Sequence, residues 1–218
     1  AFVTTFLGID GTTGEALLQS YVLPAIDGGK WSEAYAMTPD GVYIAGRSDS
    51  PKGPQACIWF LAEDPEAPGD LFWVVKGLGG LSKKKYDSVA TGIVQRPGAA
   101  DGDLMVVGYS QSILYPSEAF VWSGNPVLEP DGDNDEFIGY LYDLEYILIK
   151  TGVGEASLMG SSWILNQATG VASYYDDTNG SYTARIVGWG INPERGVEAW
   201  VVTGFPDDEL STLLTHDE

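Results

Sequence analysis

The sequence predicts an all-β fold of repeated antiparallel hairpins, arranged in a propeller-like way or as a β-sandwich or barrel with long loops. Three observations carry this expectation. Gly accounts for 28 of the 218 residues, with 7 Trp and 12 Tyr. The apolar runs are short and end at turn residues such as Pro39-Asp40-Gly41 and Pro51-Lys52-Gly53. One pattern also occurs three times: a β-rich run ends in Gly, and ten or eleven residues later comes Ala followed by an aromatic residue. The copies run from Val42 to Gly46 and on to Ala56-Cys57-Ile58-Trp59, from Leu104 to Gly108 and on to Ala119-Phe120-Val121-Trp122, and from Arg185 to Gly188 and on to Ala199-Trp200.

Taken in order, the segment from Phe2 to Ile9 has apolar residues on both alternating faces, with Val3, Leu7 and Ile9 on one and Phe2 and Phe6 on the other. A strand covered on both faces fits this pattern. Two readings are open: a central strand of its own sheet, or a terminal strand that enters a neighbouring subunit through Phe2, Val3, Phe6, Leu7 and Ile9. Residues 13–21 fit a short helix or a strand. Further strands are expected at 42–45, 56–61, 71–75, 104–107, 119–122, 185–189 and 197–202. Asp207 to Leu214 carries a helix signal, with acidic residues ahead of an apolar run.

With 44% hydrophobic residues, the chain is long enough to bury a core as one domain over 1–218. No run approaches the roughly 18 apolar residues of a membrane helix, so no membrane insertion is expected. A net charge of -20 argues against nucleic-acid and anionic-membrane partners, which require a basic surface. It is compatible with simple solubility, a high-salt habitat, cation binding, or subunits that repel until divalent ions screen them. The only basic run, Lys83 to Lys85, reads as a solvated turn. Cys57 lies within an apolar stretch and reads as a buried small hydrophobe; a lone cysteine excludes an intrachain disulfide.

The strongest chemical constellation is acidic. From Glu129 to Glu136 the chain places Asp131, Asp133 and Asp135 at alternate positions, followed by Glu136, the spacing by which a loop wraps oxygen ligands around Ca²⁺. The match to an EF-hand is partial, because Glu136 stands where Gly is wanted and Tyr142 where a bidentate Glu belongs. An irregular calcium loop and a solvated acidic loop are both open. Asp101-Gly102-Asp103 and Asp176 to Asn179 are weaker candidates, and Asn179-Gly180-Ser181 forms a glycosylation sequon. The only histidine, His216, lies in a polar acidic tail, which argues against a Ser-His or Cys-His machine and against a zinc site. A carboxylate pair suited to glycoside hydrolysis cannot be chosen among 31 acids. No phosphate-binding loop or dinucleotide fingerprint is present.

Gly28-Gly29, Ser32-Glu33-Ala34-Tyr35-Ala36-Met37, the Asp40-Gly41 turn, Ala45-Gly46-Arg47-Ser48 and Ala56 to Trp59 resemble the extracellular HAF repeats. Gly79-Gly80, Ser88-Val89-Ala90, Gly108-Tyr109-Ser110 and Ala119 to Trp122 resemble them again. A degenerate third copy keeps Ile186 to Gly188 and Ala199. The family His is absent, its place taken by Gln55, Glu118 and Glu198. The similar stretches cover about 25–60, 77–123 and 160–203. The resemblance implies a secreted or surface-displayed β-repeat protein and no activity. Repeat steps of 62 residues from Gly46 to Gly108 and 80 from Gly108 to Gly188 exceed the ~40–50 of common propeller blades. The repeat Trp residues read as core.

The resulting expectation is a non-enzymatic, extracellular or cell-surface structural or adhesive protein. It binds calcium and assembles with copies of itself as a filament or surface-layer subunit. The alternatives are a carbohydrate-binding, lectin-like domain with glycan partners and, third, a glycosidase.

Overall fold

The structure is a computed structural model that describes residues 1–64, 66–82, 85–96, 102–127, 139–151, 163–178 and 180–206. Its fold is all-β with a single short helix among these residues. An N-terminal hairpin joins β1 (Phe2–Ile9) to β2 (Ala16–Val22). Three antiparallel meanders follow. The first comprises β3 (Ser32–Met37), β4 (Tyr43–Ser48), β5 (Gln55–Asp64) and β6 (Ala67–Gly79). The second comprises β7 (Ser88–Gln95), β8 (Leu104–Ser110), β9 (Glu118–Gly124) and β10 (Gly139–Asp143). After helix α1 (Leu144–Thr151), the third comprises β11 (Ile164–Asp176), β12 (Ser181–Asn192) and β13 (Gly196–Pro206). The sheets are open, each ending in two edge strands, and no closed barrel forms among the described residues.

Each sequence hairpin is part of a larger unit, the middle pair of the first two meanders and the last pair of the third. In every meander an inner strand pairs with the Gly strand at the same register, Ala34 opposite Gly46, Ala90 opposite Gly108 and Ala168 opposite Gly188. A bulge follows each Ala at once, between Ala34 and Ala36, Ala90 and Gly92, and Ala168 and Gly170. The recurring Gly has one cause. A Cβ at Gly46, Gly108 or Gly188 would overlap the carbonyl oxygen of Glu33, Val89 or Gln167, and the ring of Trp59, Phe120 or Trp200 covers its other side. Close approach of backbone and ring therefore demands a residue without a side chain. The third copy, degenerate in sequence, repeats this geometry in full.

Its departure from the Ser pattern also has a steric reason. Ser48 Oγ accepts the amide of Ile26 at 2.9 Å, and Ser110 Oγ accepts that of Leu81 at 3.0 Å, so both tie down the chain entering their meander. At the matching Gly190 the entering strand runs so close that any Cβ would meet the carbonyl of Ile164.

Burial follows the stacking of the sheets. One core lies between the first and second meanders, where Ala45, Ala56, Ile58 and Phe60 face Ala90, Ile93, Leu104, Val106, Phe120 and Trp122. A second lies between the second and third, where Met105, Val107, Ala119 and Val121 face Leu165, Ala168, Ala184, Ile186 and Phe205, with Leu144, Ile147 and Leu148 of α1. The third core covers the other face of the first meander: Ile44, Cys57 and Trp59 pack under Leu23, Ala1, Val3 and Ile26. Hydrogen bonds join the units in parallel ways. The Ala56 amide donates to Ser88 Oγ at 2.8 Å, and Ser88 Oγ donates to the Gly79 carbonyl. Likewise the Ala1 nitrogen donates to Ser32 Oγ at 2.9 Å, and Ser32 Oγ donates to the Leu23 carbonyl at 3.1 Å. Between the second and third meanders, Asn166 Nδ2 donates to the Ser117 carbonyl at 3.3 Å.

Of the two forms open to residues 13–21, the chain takes the strand, over Ala16–Val22. Other expectations are corrected. The strand at 71–75 extends over Ala67–Gly79, and β3, β7, β10 and β11 add strands that the apolar runs did not mark. β1 is not a central strand, since β2 is its only partner among the described residues. Helix α1 was missed. Its N-terminal cap is Asp143, whose Oδ1 accepts the amides of Glu145 at 2.8 Å and Tyr146 at 3.3 Å. Leu144, Ile147 and Leu148 supply the helical spacing of the buried face. The helix expected over 207–214 lies outside the described residues.

Candidate functional site

Two apolar surfaces at opposite ends of the stack are left open among the described residues. The first is the N-terminal hairpin. Residues directly opposite in an antiparallel pair share a face, and Phe2 stands opposite Val22 and Phe6 opposite Leu18. Phe2 is 72% exposed, Leu18 61% and Val22 80%; the side chain of Phe6 lies outside the described set. On the other face Val3 packs against the Ile44–Trp59 core. A bulge between Phe6 and Gly8 takes Leu7 out of the alternation, and Leu7 and Ile9 are both exposed. The expected covering of this strand on both faces is absent among the described residues. Of the five residues expected at a subunit interface, the structure exposes Phe2, Leu7 and Ile9 and tucks Val3 inward.

The second surface is the outer face of the third meander. Val187 pairs with Val201, Trp189 with Ala199 and Ile191 with Val197, which places all six on one face. The equivalents of Val187, Ala199 and Val201 in the earlier meanders are buried. Ala45 and Val107 precede the recurring Gly as Val187 does, and both are 0% exposed against 45% for Val187. Ile58 and Val121 follow the recurring Ala by two residues as Val201 does, and both are 0% exposed against 59% for Val201. Sequence reasoning missed this face because the residues are ordinary strand residues. The available signal was the repeat register itself.

The repeat aromatics are core. Trp59 and Trp122 are buried, and Trp59 Nε1 donates to the Pro24 carbonyl at 2.7 Å. The exposed aromatics lie elsewhere. The Arg47 guanidinium sits 5.1 Å over the ring of Trp31 and 3.6 Å from Asp87. Nearby, the Tyr35 hydroxyl donates to Glu33 Oε2 at 2.6 Å; that bond, reinforced by burial, pushes the Tyr35 pKa up to about 12.

Three carboxylates also gather where the second and third meanders meet. Glu118 begins β9, Asp143 ends β10 and Glu145 opens α1. All three pKa values are raised, in each case first by desolvation; repulsion from Asp143 adds to the rise at Glu118 and Glu145, and repulsion from Glu118 adds at Glu145. Hydrogen bonds from the amides of Tyr146 and Glu145 work the other way on Asp143. Among the described residues, no group of three His, Cys, Asp or Glu side chains is placed to hold a metal ion. The expected calcium ligands Asp131, Asp133, Asp135 and Glu136, the sequon Asn179 and Asp101 all lie outside the described residues. Cys57 is a buried free thiol whose pKa burial pushes well up, as its apolar setting implies. No described helix is long and apolar enough to cross a membrane.

No family model matches the sequence, no curated protein matches it, and no solved structure matches the fold.

Proposed function

We propose that this chain is a non-catalytic structural module that associates with copies of itself, its meanders stacking as successive blades of an open, propeller-like array. The observation that carries this reading is the pair of apolar surfaces at opposite ends of the stack: Phe2, Leu18 and Val22 on the hairpin, and Val187, Val197 and Val201 on the third meander. Contiguous exposed apolar surface on a chain of net charge -20 has a physical use in association, where its burial is favourable. The resemblance to HAF-type repeats supports a secreted or cell-surface setting. Calcium belongs to the same reading: bound at Asp131, Asp133, Asp135 and Glu136, it would lower the charge that opposes association.

Light scattering and sedimentation velocity over a range of protein concentrations test the proposal, with calcium in one arm and EDTA in the other. Mass should rise with concentration, and further with calcium. A constant monomer mass in both arms refutes it. The Trp31, Arg47 and Tyr35 cluster favours a second reading, glycan binding on an exposed aromatic surface. A glycan array with wild type and Trp31→Ala checks it, the expected result being signal lost in the variant.

A further inference from the structure

The bare face of the third meander has two precedents within the molecule. In the first meander the face carrying Ala45, Ala56 and Ile58 is covered by the second meander, and in the second the face carrying Val107, Ala119 and Val121 is covered by the third. Both times the cover is the opposite face of the next unit: Ala90, Val106 and Phe120 in one case, Ala168, Ala184 and Ile186 in the other. Like faces never meet. The third meander presents the same positions, Val187, Ala199 and Val201, with nothing described above them. At the other end of the stack, the corresponding face of the first meander, Ile44, Cys57 and Trp59, is capped by Leu23, Ile26 and the base of the N-terminal hairpin. That hairpin turns a further apolar face outward.

We propose that the β12–β13 face formed by Val187, Trp189, Ile191, Val197 and Val201 receives the β1–β2 hairpin of a second copy through Phe2, Leu18 and Val22, joining copies head to tail. This rests on the self-association reading and names its two surfaces. The contact is heterologous, because the donating and receiving patches differ, so each added copy leaves one of each free. Such a contact propagates as a filament unless the rotation closes a ring. The register that stacks meanders within the chain then continues across copies, with the hairpin in the place of the next unit.

The test uses two differently tagged batches of the full chain, one Val201→Cys and the other Leu18→Cys, mixed and treated with a short bismaleimide. Both sites are exposed, and Cys57 is buried in each batch. The expected result is a cross-link between the two tags, lost in protein carrying Phe2→Glu and Val22→Glu. In parallel, Val201→Glu and Leu18→Glu should each weaken association about tenfold or more while melting as wild type; Val201→Ser replaces Val201→Glu if the latter melts early. Cross-links confined to Val201 with Val201 would show like faces pairing and overturn the proposal. Association that survives Val201→Glu unchanged would place the receiving surface elsewhere and overturn it too, with the self-association reading intact. A wild-type chain that stays monomeric fails the reading itself.

Discussion

The second and third meanders share a register, a bulge and a covered Gly, yet one is buried on both faces and the other on one. Val121 and Val201 occupy equivalent places two residues after the recurring Ala, and only Val121 is enclosed. Strand pairing alone therefore does not set burial. What lies next along the stack does, and the contrast separates residues that hold the fold from residues available for a partner.

The sharpest test of this contrast is a matched pair of truncations. Ile58→Ala, which opens a cavity between the first two meanders, should cost about 2–5 kcal/mol of unfolding free energy. Val201→Ala at the equivalent exposed position should stay within about 0.5 kcal/mol. Urea denaturation of dilute protein measures both, and equal losses would erase the distinction. Next in size, Gly108→Ala forces a methyl against the Val89 carbonyl and the Phe120 ring, with an expected loss of about 1–3 kcal/mol. Gly188→Ala should behave alike if the third repeat is as tightly built as the second.

A smaller effect separates two repeat tryptophans. Trp59→Phe gives up the hydrogen bond to the Pro24 carbonyl and should cost about 1 kcal/mol beyond the lost ring area. Trp122 Nε1 is buried without a hydrogen-bond partner among the described residues, so Trp122→Phe should lose less than Trp59→Phe by thermal melting. The smallest expected effect is pH-dependent and reports on the junction of the second and third meanders. Glu118, Asp143 and Glu145 have raised folded-state pKa values, so the folded chain holds more protons than the unfolded one between those values and the ordinary ones. Stability from this source rises as pH falls through the raised values toward 4.5 and 3.8, the ordinary Glu and Asp values, and is lost as pH climbs back through the raised values. Asp10, held low by the amides of Thr13 and Thr12, acts in the opposite sense only below 3.8. Melting temperature should increase as pH is lowered through the raised values, and Asp143→Asn, which keeps a capping side chain, should flatten the increase.

The repeats were legible because backbone crowding leaves a residue-level mark. A strand position that admits no Cβ must be Gly, and small Ala positions mark where sheets approach. The bulged inner strands left a weaker mark: Ser32–Met37 contains no Val, Ile or Leu, and its face becomes apparent only through its pairing with Gly46. Helix α1 was hidden by its own composition, since Tyr146, Ile147 and Ile149 favour strands. The hairpin surface was half legible. Apolar residues on both faces of Phe2 to Ile9 signalled a need for cover on each, but the pattern could not say that cover would be missing.

By itself, then, the sequence determined the all-β class, the three-fold recurrence of Gly and Ala with an aromatic, and the core role of Trp59 and Trp122. These are local requirements of sterics and polarity, written at single positions. Tertiary structure alone decided that the hairpins extend into meanders, that the meanders stack with opposite faces in contact, and that Val187 and Val201 lie bare where Val107 and Val121 are buried. The physical reason is that a valine on a strand is apolar in every copy of the repeat, whereas its burial depends on whether another sheet comes next.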